Sequence, residues 1–413
     1  MKNCRKIAIV CVAIFVIGFQ LSAQSLESLL HLAVENNTEL RAVDLEYQSI
    51  LERKDQVSQL PNPQIGVGVP VLRPETRLGP QVLMIGASQM FPWFGTLKSK
   101  EEVIVSMSKA KYEQLSIIKL DLFYQIKSAY YQLNFLNQKQ SVISENIRIF
   151  QSLESIALAK VEAGQASLAD VLRIQAKLQG LEQQLLFIEN QRISFESKIN
   201  EITKRPIGEK TQVESPLVLP VLEYDIVSFR DKIQLNHPMI AQIDYQIEAS
   251  KNMLEENRNM NSPMIGVGID YSVVAKRTDA NPMNNGKDIF IPKLMVSIPL
   301  YRKSYKAKIN EENLIQQSLE VKKESLTDKM VGMLIRYKSE YDNGNLEMEL
   351  YKNQSITIEM AYNVIMANYI SSGKGFEELL MVQNQLQDFQ LGIYQAELKK
   401  NDAQASIERI TKY

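Results

Sequence analysis

Pro63-Gln64-Ile65-Gly66-Val67-Gly68-Val69 recurs 200 residues later as Pro263-Met264-Ile265-Gly266-Val267-Gly268-Ile269. A β-branched residue at every second position, with glycine between, has the period of a strand with one apolar and one bare face. The recurrence points to a chain written twice. Phe91-Pro92-Trp93-Phe94 has a weaker echo in Ile298-Pro299-Leu300-Tyr301. Gly164 to Leu178 matches Gly373 to Leu386 with one gap, pairing Gln175 with Gln383 and Leu178 with Leu386. Three landmarks in one order, at offsets of 200 to 209, indicate internal duplication.

Working outward, each half reads as helix, two strands, very long helix, turn and helix. The first half places these at about 26–60, 63–72, 81–91, 96–162 and 167–204. The second places them at about 229–260, 263–274, 289–300, 303–370 and 376–411. The expected organisation is a leader (1–23), a first repeat (24–204), a linker (205–228) and a second repeat (229–413). Pro206, Gly208, Pro216 and Pro220 break helix in the linker.

The leader has a basic start (Lys2, Arg5, Lys6), an apolar run from Ile7 to Phe19, and Leu21-Ser22-Ala23 before Gln24. That is the three-part pattern of a secretory signal peptide. The apolar run is well short of the roughly 20 residues a spanning helix needs. Cys4 and Cys11 both lie in the leader, so the mature chain is expected to hold no disulfide and no thiolate metal site. Of 47 basic residues the leader carries three, leaving 44 against 48 acidic ones, a balance of −4. Nothing in that balance directs the chain to nucleic acid. No later segment approaches 18 consecutive apolar residues, so any membrane passage must be β-structure.

No enzyme constellation stands out, and no cofactor is expected. His31 and His237 each head a helix at an equivalent repeat region, have no second histidine or cysteine at ligand spacing, and read as structural. The 16 methionines look scattered at core-like helical spacing, with no methionine cluster. No metal site is expected.

The long helices carry heptads. Leu115, Leu122, Ala129, Leu136, Ile143, Phe150 and Ala157 recur every seven residues, flanked by Ile126, Leu133, Ile147 and Val161. Sustained heptads predict coiled-coil packing. A helix of some 67 residues spans roughly 100 Å. Asp342-Asn343-Gly344-Asn345 is a turn-type cluster inside the second long helix, and it predicts a bend or local loosening there.

The strands alternate. Ile265, Val267, Ile269, Tyr271 and Val273 oppose Gly266, Gly268, Asp270 and Ser272, and Leu294, Val296, Ile298 and Leu300 oppose Lys293, Met295 and Ser297. The segment 81–91 alternates poorly. Such strands fit either an outer-membrane barrel or an ordinary half-buried sheet. Hairpins with polar loops, at 72–80 and about 274–288, favour the barrel. Four strands cannot close one, and unpaired edges are not tolerated in lipid, so the chain must oligomerise. Two copies would give eight strands and a filled interior; three would give twelve and an open lumen.

With these residues together, the chain resembles the TolC-type outer-membrane efflux channels. The resemblance covers essentially the whole mature chain. It rests on the duplicated plan, the segment Pro61 to Val69, the strand exit Phe91-Pro92-Trp93-Phe94-Gly95 and the two glycine-centred turns. The strand exit looks most like the heavy-metal (copper/silver) branch. The resemblance implies a mainly α fold with a membrane β-barrel. Long helical hairpins would form a trimeric α-barrel in the periplasm, and four strands per chain a shared 12-stranded barrel in outer-membrane lipid. It implies a passive exit duct of a tripartite efflux system, with a periplasmic adaptor and an inner-membrane pump as partners. A type I protein-secretion duct is an alternative cargo reading. A periplasmic coiled-coil scaffold is an alternative of another class.

The resemblance assigns adaptor contact to the turns Ala163-Gly164-Gln165 and Ser372-Gly373-Lys374. It places gate carboxylates at Asp170 and Glu378 and a constriction residue at Tyr369. Asp170 and Glu378 read equally well as helix-start carboxylates complementing the helix dipole. Met381 and Gly375 depart from the family's charge pattern, where an acidic residue and a basic partner are expected.

Overall fold

The computed structural model describes residues 25–214, 217, 219, 220 and 226–412. The expected leader lies outside these residues. The elements run α1 (Leu26–Asn36), α2 (Thr38–Val57), β1 (Gln64–Gly68), β2 (Glu75–Thr76), β3 (Gly79–Phe91), α3 (Thr96–Glu162) and α4 (Leu168–Thr203). They continue with α5 (Ile226–Asn236), α6 (Pro238–Met260), β4 (Met264–Val274), β5 (Ile289–Ser297), α7 (Lys303–Ser372) and α8 (Phe376–Thr411).

The chain forms two compact units that cut across the repeats. One draws on residues 25–37, 119–214 and 333–412, the other on 38–118 and 226–332.

In the strand unit, β1-β3-β4-β5 form one antiparallel sheet, and β2 pairs with β3. Ile65 pairs with Ala87, Ile85 with Tyr271, and Val267 with Leu294, so one face is apolar across all four strands. The other face carries Gly66, Gly86, Ser88, Gly268, Asp270 and Lys293. The poor alternation of 81–91 has a cause: the register with β4 shifts between Gln81 and Leu83, a bulge that resets which face each residue meets. Gln89 falls on the apolar face, but its amide donates to the Pro61 and Met90 carbonyls, at 2.7 and 2.9 Å. Beside the sheet, the Ser250 hydroxyl donates to the buried Glu312 carboxylate at 2.7 Å, joining α6 to α7. Asn252 of α6 donates to the Ser106 hydroxyl of α3 at 2.9 Å.

In the helical unit the heptad reading of α3 is borne out by burial. Leu122, Ala129, Leu136, Ile143, Phe150 and Ala157 are all buried, with Ile126 and Leu133 beside them. Val171, Ile174, Leu178, Leu181 and Ile188 of α4 pack into the same core. Two repeat-equivalent residues clasp the linker. Glu196 on α4 accepts from the Thr211 amide at 3.2 Å, and Gln404 on α8 donates to the Pro220 carbonyl at 3.0 Å.

Three expectations are corrected. The helices expected at 26–60 and 229–260 are each two, interrupted at Asn37 and His237. Asn37 is extended and donates to the Ile202 carbonyl, while His237 caps α6 through Nδ1, which accepts from the Met239 amide, with Pro238 at the first helical position. His31 lies inside α1 and pairs with Glu35, so the repeat counterpart of His237 is Asn37. Third, Asp342 to Asn345 stays helical within a 70-residue α7. Gly344 is there for proximity, because a Cβ would come within 2.8 Å of Lys400 Cβ and 3.1 Å of the Ala396 carbonyl. Close packing against α8 overrides the local turn preference.

Candidate functional site: the paired hairpin tips

The turns that reverse α3 into α4 and α7 into α8 lie side by side in the helical unit. A Cβ on Gly373 would come within 2.8 Å of the Gln165 carbonyl oxygen. Lys160 donates from Nζ to the Ile370 carbonyl at 2.9 Å. Arg173 and Glu377 form an exposed ion pair at 2.6 Å between the starts of α4 and α8. Both turn glycines, Gly164 and Gly373, have φ of +70°, where a side chain is strained.

The tips are closed differently. At the first, Ser167 is extended and its hydroxyl accepts from the Ala169 amide at 3.2 Å, while the Asp170 carboxylate accepts from the Ser167 amide at 3.4 Å. This is a capping box, satisfying helix-start donors that would otherwise be orphaned. At the second, the cap residue is Gly375, with φ of +87° and no side-chain cap bond. Ala163, Gly164, Gln165, Ser372 and Lys374 are exposed and Gly373 is half-buried. Asp170 is half-buried, and Glu378 is exposed.

Tyr369 belongs to the buried core of the helical unit. It is 0% exposed, packs on Phe376 at 5.6 Å between ring centroids, and has the Lys160 ammonium 5.7 Å from its ring centre. Burial first, and then the Asp170 charge, push its hydroxyl pKa up.

The Arg173–Glu377 pair is what the sequence reading missed. The family pattern directed attention to Gly375 and Met381, whereas the basic group sits on the other hairpin. The repeat offset of 208 that pairs Gln175 with Gln383 makes Arg173 the counterpart of Met381, which was the available signal. The paired glutamines also diverge. Gln383 is buried and donates to Asn146 Oδ1 at 2.8 Å, while Gln175 donates to Glu154 on the surface.

Two other buried groups titrate abnormally. Asp402 on α8 is raised to about 6, chiefly by burial, against a lowering hydrogen bond from Ser128. His237 is lowered to about 4 by burial, keeping it neutral and able to accept as a cap.

Among the described residues no group of three or more His, Cys, Asp or Glu could hold a metal ion. The methionines are a different matter, because Met90 and Met295 meet over Gly266 on the sheet face opposite the apolar one, and Met264 stands on that face too. That corrects the expectation of no methionine cluster. The three lie on different strands, so spacing in the sequence could not reveal it.

The family described as outer membrane efflux protein matches residues 29–203. No curated protein sequence matches the chain. Among solved structures, the outer-membrane channel OprN is 15% identical, with 94% of this chain and 89% of that one covered and a TM-score of 0.76. CusC, described as a transmembrane channel, is 14% identical over 94% of this chain and 92% of its own, with a TM-score of 0.75. The open state of the Neisseria gonorrhoeae MtrE outer membrane channel is 15% identical over 94% and 88%, with a TM-score of 0.72. The resemblance drawn from the sequence is borne out, by the family match in the first repeat and by the fold over both.

Proposed function

We infer that the chain, an outer-membrane efflux protein by family pattern and by fold, acts as the passive exit duct of a tripartite efflux system. The observation that carries this is the apolar sheet face. Ile65, Val67 and Leu294 are 75%, 67% and 74% exposed, and no described part of the chain covers that face. A water-soluble scaffold would have to bury it; a lipid-facing barrel needs it bare.

β1 and β5 are the free edges of the sheet, and lipid does not tolerate free edges. Copies of the chain therefore pair edge to edge, and three copies give a twelve-stranded barrel with an open lumen. The same assembly would cover the exposed Leu346, Leu350, Met360 and Val364 of α7. The protein would sit in the outer membrane with its helices in the periplasm. The exposed turns 163–165 and 372–374 would meet the periplasmic adaptor, which links the duct to an inner-membrane pump.

Asp170 and Glu378 would form like-charge rings near the periplasmic opening, favouring cations. Arg173–Glu377 would tie the two hairpins of one copy in the narrow state. The test is the purified protein in a planar bilayer, with its oligomeric state measured in detergent. Ion-conducting trimers are expected. Recovery as a soluble, non-conducting monomer would overturn the reading.

A further inference from the structure

Gly266 pairs with Met90 of β3 on one side and with Met295 of β5 on the other. Directly paired residues share a sheet face. Met264 lies two residues before Gly266 on β4 and therefore stands on that face too. Gly266 has no side chain, and the space above it is taken by its neighbours. A Cβ there would overlap Met90 Sδ and lie 3.2 Å from Met295 Cε. Two thioether ends thus meet over bare backbone, with Met264 two residues along the same face, at the end of the sheet that leads into the helices.

The setting suits a cation. All three methionines are half-buried, so they remain accessible. The nearest positive charge on the face, Lys293, is ion-paired with Asp270. Thioether sulfur is a soft, neutral, polarisable donor, which selects Cu(I)-like ions over hard or borderline ones. It binds without needing deprotonation. A duct also needs sites weak enough to release what they bind.

We propose that Met90, Met264 and Met295 form a thioether site for a soft monovalent cation, Cu(I) or Ag(I), at the helix-side entrance of the barrel. Its role in transit rests on the channel reading above; the binding itself does not.

The test is silver titration of the purified full-length oligomer in chloride-free buffer, with N-ethylmaleimide blocking any thiol from Cys4 or Cys11. One silver ion per chain is expected, with sulfur neighbours in X-ray absorption. Met90→Leu with Met295→Leu keeps the volume and removes two donors, and should weaken binding at least tenfold. Either single replacement should weaken it less, which keeps the test informative if the double variant assembles poorly. Met283→Leu, on the exposed loop between β4 and β5, should leave binding unchanged. No silver binding, or equal binding by the wild type and the Met90 and Met295 variants, would overturn the site. Bilayer conductance measured on the same samples separates the two claims. Conductance without silver binding removes the site and leaves the duct, whereas silver binding without conductance removes the duct and leaves the site.

Discussion

The two hairpin tips descend from one repeated segment, yet they are closed by opposite means. The first is held by side chains, with Ser167 and Asp170 sharing the helix-start amides. The second has Ser372 bonded within its turn but no cap, with Gly375 leaving its helix start without a side-chain bond and Gly373 pressed against Gln165. The first tip is therefore pinned locally and the second through its neighbour. Movement of one hairpin against the other would release the second tip and leave the first intact.

The sharpest way to break this comparison is at the two turn glycines. Gly373→Val suffers both a strained φ and a clash with the Gln165 backbone, and should cost about 2–3 kcal/mol. Gly164→Val suffers the strain alone, with nothing within 4 Å, and should cost about 1–2 kcal/mol. Denaturant unfolding followed by helical circular dichroism measures both. Equal costs would mean that the second tip is not held by its neighbour.

A contrast further up the hairpins comes next in size. By the offset of 208, Asp402 on α8 stands where α4 has Ser194, so only the second repeat carries a carboxylate there, and it is half-buried. With its pKa raised to about 6 from 3.8, Asp402 binds a proton more tightly in the folded state. It costs nothing below the unfolded value, and the cost grows as pH rises, reaching its full size above the folded value. Asp402→Asn should therefore stabilise the protein by about 2 kcal/mol at pH 8 and leave it unchanged near pH 3. A gain of equal size at both pH values would point to packing instead.

Removing the first tip's cap comes third. Ser167→Ala should cost about 1 kcal/mol. The smallest effect is expected at Arg173–Glu377, because exposed pairs contribute about 0–1 kcal/mol. Arg173→Ala should barely move the unfolding midpoint, yet raise single-channel conductance if the pair ties the hairpins together. Unchanged conductance would leave it a surface ion pair only.

Much of this was legible in the chain. Gly66, Gly68, Gly266 and Gly268 marked the strands, and the α3 heptads named the residues that became its core. What was not legible depended on partners distant in sequence. Gly344 looked like a helix breaker until α8 was seen against it. The packing of Tyr369 against Phe376 and the Lys160 ammonium could not be read along the chain. Arg173 met Glu377 across 204 residues, and Met90 met Met295 across the strand between them.

The sequence by itself carried the repeat, the strand and helix periods, and the expectation of more than one copy. Those follow from local periodicity and from the cost of unpaired backbone in lipid, and both can be counted along a chain. Only the tertiary structure decided which side chains face each other. It made one tip capped and the other wedged, and it buried Tyr369 and Asp402. It also brought the Met90 and Met295 side chains together over Gly266. Sheet register and helix packing set those distances, and neither is written in the spacing of residues along one strand or one helix.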